Sequence, residues 1–173
     1  EHERGLTVAL TGWVIAIPYV FGTLGMLSAG QVADRLLRRG LSLVASRKWP
    51  VCVGLLGGAL FTVPAAYTPS VTMAVAYISL AMFFINMASA GAWTMVTVIV
   101  PQRQVASLGS MQNFGGYFAG SLAPVITGWI VETTHSYVNA LLASAAVAVA
   151  AAVAYIVLVR DPLPGAKLVE SVA

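Results

Sequence analysis

The sequence has very little charge for its length. Asp, Glu, Lys and Arg make up 9% of the 173 residues, whereas 59% of the residues are hydrophobic. A typical soluble domain carries about 25% charged residues. Three stretches, residues 5–33, 49–102 and 104–131, contain no charged residue at all. Stretches of this length are long enough to cross a bilayer, and they exclude a soluble domain.

Residues that could carry chemistry are also scarce. Cys52 is the single cysteine, which rules out an internal disulfide and predicts a small buried apolar side chain rather than a redox or metal site. The two histidines, His2 and His135, lie outside the apolar stretches. Because no His, carboxylate, Lys or Arg stands in the middle of a span, we expect no metal site, no cofactor and no enzymatic activity. For the same reason, the chain offers no group for proton coupling.

The apolar stretches divide into membrane-spanning helices. Each helix needs about 20 apolar residues, and the stretch from residue 49 to 102 is too long for one. It breaks at Tyr67, Thr68, Pro69 and Ser70, which favour a tight turn. The ten-residue alternation of a barrel strand is absent. We therefore predict an all-α transmembrane fold with five membrane-spanning helices, at about residues 6–33, 49–66, 71–100, 104–131 and 140–159, and a tail at 160–173.

The basic residues are sorted by side of the membrane. Five spans place Arg4, Glu1, Glu3 and Glu132 on one side. The other side receives Arg35, Arg38, Arg39, Arg47, Lys48, Arg103, Arg160 and Lys167. A solvated surface alone does not explain this sorting, whereas the positive-inside rule does. We predict a multi-pass protein of the cell inner (plasma) membrane with its N-terminus outside and its C-terminus cytoplasmic. Nucleic acid is disfavoured as a partner, because the basic cluster lies in a short loop between spans.

That loop contains a distinctive run of residues, Gly30 to Gly40. It begins with a glycine that would let a neighbouring helix approach closely, continues with Asp34 at the end of the span and then brings Arg35, Arg38 and Arg39. A carboxylate in this position can pair with guanidinium groups or with the positive N-terminal end of another helix. Either partner would make Asp34 a latch between helices.

The run resembles the loop signature of the major facilitator superfamily, in which a Gly, an Asp-Arg pair and a basic pair join helices two and three and again helices eight and nine. The whole chain resembles helices eight to twelve of such a twelve-helix transporter. The segments "LLRRGLSLVASRKWP", "GAWTMVTVIVPQ" and "GSMQNFGGYFAGSLAPVITGWI" resemble the anion:cation symporter group, which includes galactonate, glucarate, hexuronate and phthalate-type carriers.

The resemblance implies a role for the loop residues. Asp34 would hold the cytoplasmic ends of the two transporter halves together, and Arg35, Arg38 and Arg39 would support it. Its partner would lie in the N-terminal half of the same protein, which this chain lacks, together with the titratable carboxylates and the substrate-binding Arg. A plainer interpretation is that these residues only anchor the topology.

Polar side chains inside two spans are candidates for a substrate pathway. Asn86, Ser89, Trp93 and Thr97 are three or four residues apart and share a helix face. The next span offers Ser110, Gln112, Asn113 and Tyr117. Burying amides in hydrocarbon is costly unless they meet a partner or water, which indicates a wet cavity. The alternative is hydrogen bonding between helices.

These side chains suit a polyhydroxylated acid. Amides both donate and accept hydrogen bonds, and an indole adds a flat apolar wall with one donor. The resemblance implies substrate contact at Trp93 and Asn113, which match a Trp of helix ten and an Asn of helix eleven. The predicted substrate-binding residues are Trp93, Asn113, Gln112, Asn86 and Ser89. For Tyr19 and Tyr117 we expect helix packing.

The resemblance thus implies a fragment of a secondary active transporter that moves an organic anion such as a sugar acid or aromatic acid by alternating access, with a proton as coupling ion. Sugar-acid carriers of the group often have an acidic residue where this chain has Val98. Aromatic and other organic acids are therefore alternative substrates. The alternative function is a non-transporting membrane subunit, or a truncated gene product, with a packing role.

Glycines at helix-packing spacing predict where helices approach each other closely. These are Gly54 with Gly58, Gly116 with Gly120, and Gly25 with Ala29.

Overall fold

A computed structural model describes residues 8–159 of the chain, and this part is helical apart from short turns. The all-α prediction is therefore confirmed. The elements are α1 (Val8–Arg38), α2 (Leu43–Tyr67), α3 (Val71–Ile99), a short 3-10 turn (Gln102–Gln104), α4 (Val105–Thr134) and α5 (Tyr137–Leu158). The N-terminal stub before Val8 and the tail predicted at 160–173 lie outside the described residues.

Four of the five helices are long and apolar enough to cross a membrane. They are α2, α3, α5 and the segment Gln102–Thr134 that contains α4. Helix α1 is long enough at 31 residues, but it carries several glycines and hydroxyl residues and ends in charged residues. Its crossing of the membrane, expected as the first of five spans, stays a prediction.

The connection between α1 and α2 is much shorter than the loop expected from Asp34 to Lys48. Helix α1 continues through Arg38 and ends in a Schellman motif, with Gly40 at a φ of 88°. The Gly40 N–H donates to the Leu37 carbonyl at 2.9 Å, and the Leu41 N–H donates to the Leu36 carbonyl at 3.2 Å. The Ser42 hydroxyl then caps α2 by accepting from the Ala45 N–H at 3.2 Å. Local capping residues, rather than loss of apolarity, set these helix ends.

A turn separates the second and third helices where the sequence analysis places a break between spans. Helix α2 ends at Tyr67, and Ser70 is the N-cap of α3. The reversal between α4 and α5 uses His135 in a left-handed conformation at a φ of 50°. The short connections make consecutive helices antiparallel neighbours.

Helix α3 is the centre of the packing, with α1 and α2 against it. Met95 is 1% exposed and forms a core cluster with Val44 of α2 and Val98. Glycines allow the close approach. A Cβ added to Gly54 would lie 2.5 Å from the Phe84 carbonyl oxygen, and one added to Gly25 would overlap the Phe83 carbonyl oxygen.

The glycine predictions therefore have different outcomes. Gly25, Gly54 and Gly58 lie against α3, as expected for close helix packing. A Cβ added at Gly116 or Gly120 would meet no atom of the described residues within 4 Å. Among the described residues of α4, Gly109 is the buried one, and the helix contacts α3 and α5 only lightly.

Charge divides the bundle into two ends. We define the basic end as the end where α1, α3 and α5 finish and where α2 and α4 begin. It holds Arg35, Arg38, Arg39, Arg47, Lys48 and Arg103. At the opposite end the described residues include Glu132 and His135 but no Lys or Arg.

Candidate functional site

The polar residues of α3 form one stripe along the helix. With 3.6 residues per turn, Asn86, Ser89, Trp93 and Thr97 fall within an arc of about 80°. The buried Met95, which packs toward α2, lies on nearly the opposite side of the helix. This α3 polar stripe therefore faces away from α2, toward the side bordered by α1 and α4.

Asn86 lies at the contact between α3 and α1. Its Nδ2 donates to the Met82 carbonyl at 2.8 Å, within its own helix. The same nitrogen is 2.9 Å from the point where a Cβ of Gly22 would stand. The absence of a side chain at Gly22 makes room for the amide, which is half-buried between the two helices. This position fits the interhelical alternative at least as well as a cavity lining.

Trp93 lies at the contact between α3 and α4, and Ser89 and Asn113 each follow from that contact by one helical turn; we call this part of the α3–α4 interface the α3–α4 groove. The Trp93 Cζ3 atom is 3.9 Å from the position of a Cβ on Gly109, which places the indole against α4. Asn113 is exposed one turn farther along the same face of α4. Because the helices are antiparallel, Ser89 is one turn from Trp93 in the same direction. The indole is 46% exposed within the described part of the chain.

The remaining polar residues contribute less to this groove. Gln112 is half-buried and is three residues after Gly109, on the other flank of the α4 face. The Thr97 hydroxyl donates to the Thr94 carbonyl at 2.8 Å, and the Ser110 hydroxyl donates to the Ala106 carbonyl at 2.8 Å. Hydroxyls bonded to their own helix have their donor occupied.

Two tyrosines differ from the sequence prediction. Tyr19 of α1 is 66% exposed and Tyr117 of α4 is 79% exposed, so neither ring packs between the described helices as expected. Tyr117 follows Asn113 by four residues and continues the same face of α4. Its spacing of four residues from Asn113 is the feature of the sequence that could have indicated this position.

The residues of the predicted latch lie together at the basic end. Asp34, Arg35, Arg38 and Arg39 are all exposed, and Asp34 makes no ion pair or side-chain hydrogen bond with another described residue. Gly30 is also exposed, and a Cβ there would meet nothing within 4 Å in this part of the chain. The close helix approach occurs instead at Gly25. The latch role of these residues stays a prediction.

The described residues contain no group of three or more His, Cys, Asp or Glu side chains that could hold a metal ion. Cys52 is completely buried. The chemistry available in the α3–α4 groove is therefore hydrogen bonding by amides and hydroxyls beside an aromatic surface.

Comparison with known proteins identifies the family. The model of the Major Facilitator Superfamily matches residues 1–172. The chain belongs to the Major Facilitator Superfamily. This membership confirms the resemblance read from the loop run, and it makes the chain part of a multi-pass membrane protein rather than an enzyme.

Several members of the superfamily with assigned roles are similar along nearly the whole chain. A probable L-galactonate transporter of Escherichia coli (strain K12) is 41% identical over 94% of this chain and 36% of its own length. A D-galactonate transporter of Escherichia coli O6:H1 is 33% identical over 92% of this chain and 36% of its own length. A probable galactarate/D-glucarate transporter of strain K12 is 31% identical, with the same two coverages. The chain spans about a third of the length of these relatives.

Proposed function

We propose that this chain is part of a carrier that moves a sugar acid across the inner membrane. The observation that carries the proposal is the 41% identity to a probable L-galactonate transporter over 94% of the chain. The α3–α4 groove supports it, because Trp93 and Asn113 there offer an aromatic surface and an amide to a substrate. The mechanism we propose is alternating access coupled to a proton.

The α3–α4 groove offers part of what a sugar acid requires. The Asn113 amide can donate to one hydroxyl and accept from the next, Ser89 can add a further hydrogen bond, and the exposed face of Trp93 can cover the carbon chain. No described Lys, Arg or His lies along this groove to bind the carboxylate. We therefore assign the carboxylate contact and the proton-coupling group to sequence outside the described residues.

The orientation and the latch belong to the same proposal. The basic end would face the cytoplasm, because six described Lys and Arg side chains are gathered there and none at the opposite end. Asp34, exposed and without a described partner, would pair with the N-terminal half of the protein in one of the two alternating states. Arg35, Arg38 and Arg39 would support that contact.

Uptake by the complete gene product tests the site. We expect cells that lack their own carriers to accumulate radiolabelled galactonate or D-glucarate when the protein is expressed. Trp93→Ala and Asn113→Ala should each lower the initial uptake rate at subsaturating substrate by on the order of tenfold, because each removes a substrate contact. The matched controls Trp129→Ala and Asn139→Ala remove the same side chains away from the groove and should keep uptake within about twofold of the parent at equal membrane levels.

The substrate panel separates the alternatives. Accumulation of benzoate or phthalate, and not of sugar acids, would replace the sugar-acid assignment with an aromatic acid. Val98 leaves this alternative open, because sugar-acid carriers of the group often have an acidic residue at that position. Equal uptake by the two site variants and the parent would remove Trp93 and Asn113 from the site. Membrane insertion without uptake of any organic acid would favour the non-transporting subunit with a packing role.

A further inference from the structure

A second groove lies between α1 and α2, away from the α3–α4 groove. It has a volume of about 490 Å³. The residues that line it are almost all apolar, with Val32 and Leu36 on one wall, Trp49 and Val53 on the other, and Phe83 and Met87 of α3 as the floor. The Ser28 hydroxyl at its inner end donates to the Gly25 carbonyl at 2.7 Å. Nothing in this groove suits a sugar acid.

The dimensions of the groove match one leaflet of a bilayer. Ser28 and Leu36 mark its length along α1, and eight residues of helix span about 12 Å. The hydrocarbon of one leaflet is about 15 Å deep. Trp49 lies on the groove wall toward the basic end and is 48% exposed, as expected for an indole at a membrane interface.

Two arginines extend the same face of α1 beyond the groove. Arg35 is three residues after Val32, at the edge of the helix face that lines the groove, and Arg39 directly follows α1, where its N–H still donates to the Arg35 carbonyl at 3.1 Å and continues that face. Both are exposed, and neither side chain makes an ion pair with a described residue. Arg38 lies on a different face of α1. Two exposed arginines therefore stand next to the basic end of an apolar channel along the chain.

We propose that this groove binds an anionic phospholipid of the leaflet at the basic end. One acyl chain fills the groove over Phe83 and Met87, and the phosphate accepts hydrogen bonds from Arg35 and Arg39. Guanidinium groups match phosphate oxygens in bidentate geometry. Basic pockets between transmembrane helices are recognised sites for anionic headgroups. The charge of the two arginines selects an anionic lipid over a zwitterionic one, and the apolar walls select a lipid over a free phosphate.

Native mass spectrometry of the complete gene product tests this site. The protein in detergent is titrated with phosphatidylglycerol or phosphatidylcholine that carry the same acyl chains. We expect at least tenfold tighter retention of phosphatidylglycerol, and loss of that preference in Arg35→Gln/Arg39→Gln. The matched double variant Arg38→Gln/Arg103→Gln removes the same charge at the same end and should keep the preference. Glycerophosphoglycerol, which is the headgroup without acyl chains, should not compete at equal concentration.

Fluorescence locates the acyl chain without a charge substitution. Brominated phosphatidylglycerol should quench the tryptophan emission of the parent protein more than that of Trp49→Phe, because Trp49 lies beside the acyl chain. Equal retention of the two lipids by the parent protein would overturn the proposal, as would equal effects of the two double variants or competition by the free headgroup. Absence of Trp49-dependent quenching would also overturn the proposal, because it would place no acyl chain beside Trp49.

Discussion

Lys48 illustrates how a single charged side chain acts at the basic end. Its Nζ donates to the carbonyl of Ile156 in the last turn of α5 at 2.8 Å and to that of the C-cap residue Val159 at 2.6 Å. These carbonyls lack partners within a helix, and a cation near a helix C-terminus also interacts favourably with the helix dipole. Lys48 therefore fixes the end of α5 to α2. The same lysine contributes to the positive-inside signal, so one residue serves both topology and packing.

Replacing Lys48 with Met should loosen this attachment. Met has a similar reach but cannot donate, so two carbonyls lose a charged donor. We expect the free energy of unfolding to fall by about 1–2 kcal/mol, measured by reversible unfolding in mixed detergent micelles. Arg103→Met, at an exposed basic residue of the same end, should change it by less than about 0.5 kcal/mol. Equal losses in the two variants would mean that general charge, and not the cap, supports α5.

At the scale of the helices, the packing depends on how closely α1 and α2 approach α3. The closest points are glycines, with Gly25 of α1 against the Phe83 backbone and Gly54 of α2 against Phe84 and Ala88. In a membrane, small residues stabilise helix contacts because they allow backbones to come close without relying on the hydrophobic effect. Helix α4 has no comparable contact, and most of its surface is exposed in the described part of the chain.

Gly25→Ala should separate α1 from α3. The added Cβ overlaps the Phe83 carbonyl oxygen, which is backbone and cannot rotate away. We expect a loss of about 1–3 kcal/mol in the free energy of unfolding. Gly30→Ala, five residues farther along the same helix, has open space and should be neutral or slightly stabilising. A neutral Gly25→Ala, or a Gly30→Ala that costs as much, would contradict this account of the contact.

Much of the helix arrangement could be predicted from the sequence, because lipid imposes one requirement on every span. The apolar stretches locate α2 to α5, and Pro69 and Ser70 mark the break between α2 and α3. The compact connection at Gly40 and Ser42 was not predicted, because the search for spans followed apolarity and the helices continue past the apolar stretches. The exposure of Tyr19 and Tyr117 could not be predicted either, since a tyrosine in an apolar span suits packing and a cavity wall equally well.

At the scale of the whole molecule, the two ends differ in charge and the two grooves differ in polarity. The α3–α4 groove carries polar side chains and lies on the side of α3 away from α2, whereas the groove between α1 and α2 is lined almost entirely by apolar residues. Asp34 is exposed at the basic end and has no described partner. In the proposed carrier, this carboxylate contributes to the conformational equilibrium and the α3–α4 groove contributes to substrate binding.

Asp34→Asn separates these two contributions. If the carboxylate is a latch, the maximal uptake rate should fall by on the order of tenfold while the substrate dissociation constant changes less than about twofold. The rate is measured in proteoliposomes and the binding constant by isothermal titration of the complete gene product. Glu132→Gln removes a carboxylate from the opposite end and should leave both quantities near the parent values. An unchanged rate in Asp34→Asn would support the plainer role as a topology anchor.

The most direct test of the account asks whether a sugar acid occupies the α3–α4 groove. Ser89→Cys and the control Ser144→Cys are made in the complete gene product after Cys52 and any cysteine outside this sequence are replaced by Ala. The rate of maleimide labelling is measured in membranes with and without galactonate or D-glucarate. We expect a sugar acid to slow labelling of Ser89→Cys at least fivefold and to leave labelling of Ser144→Cys unchanged. The contrary result is that the Ser89→Cys protein still transports sugar acids, but none of them changes its labelling rate. That result would contradict a sugar acid in the α3–α4 groove.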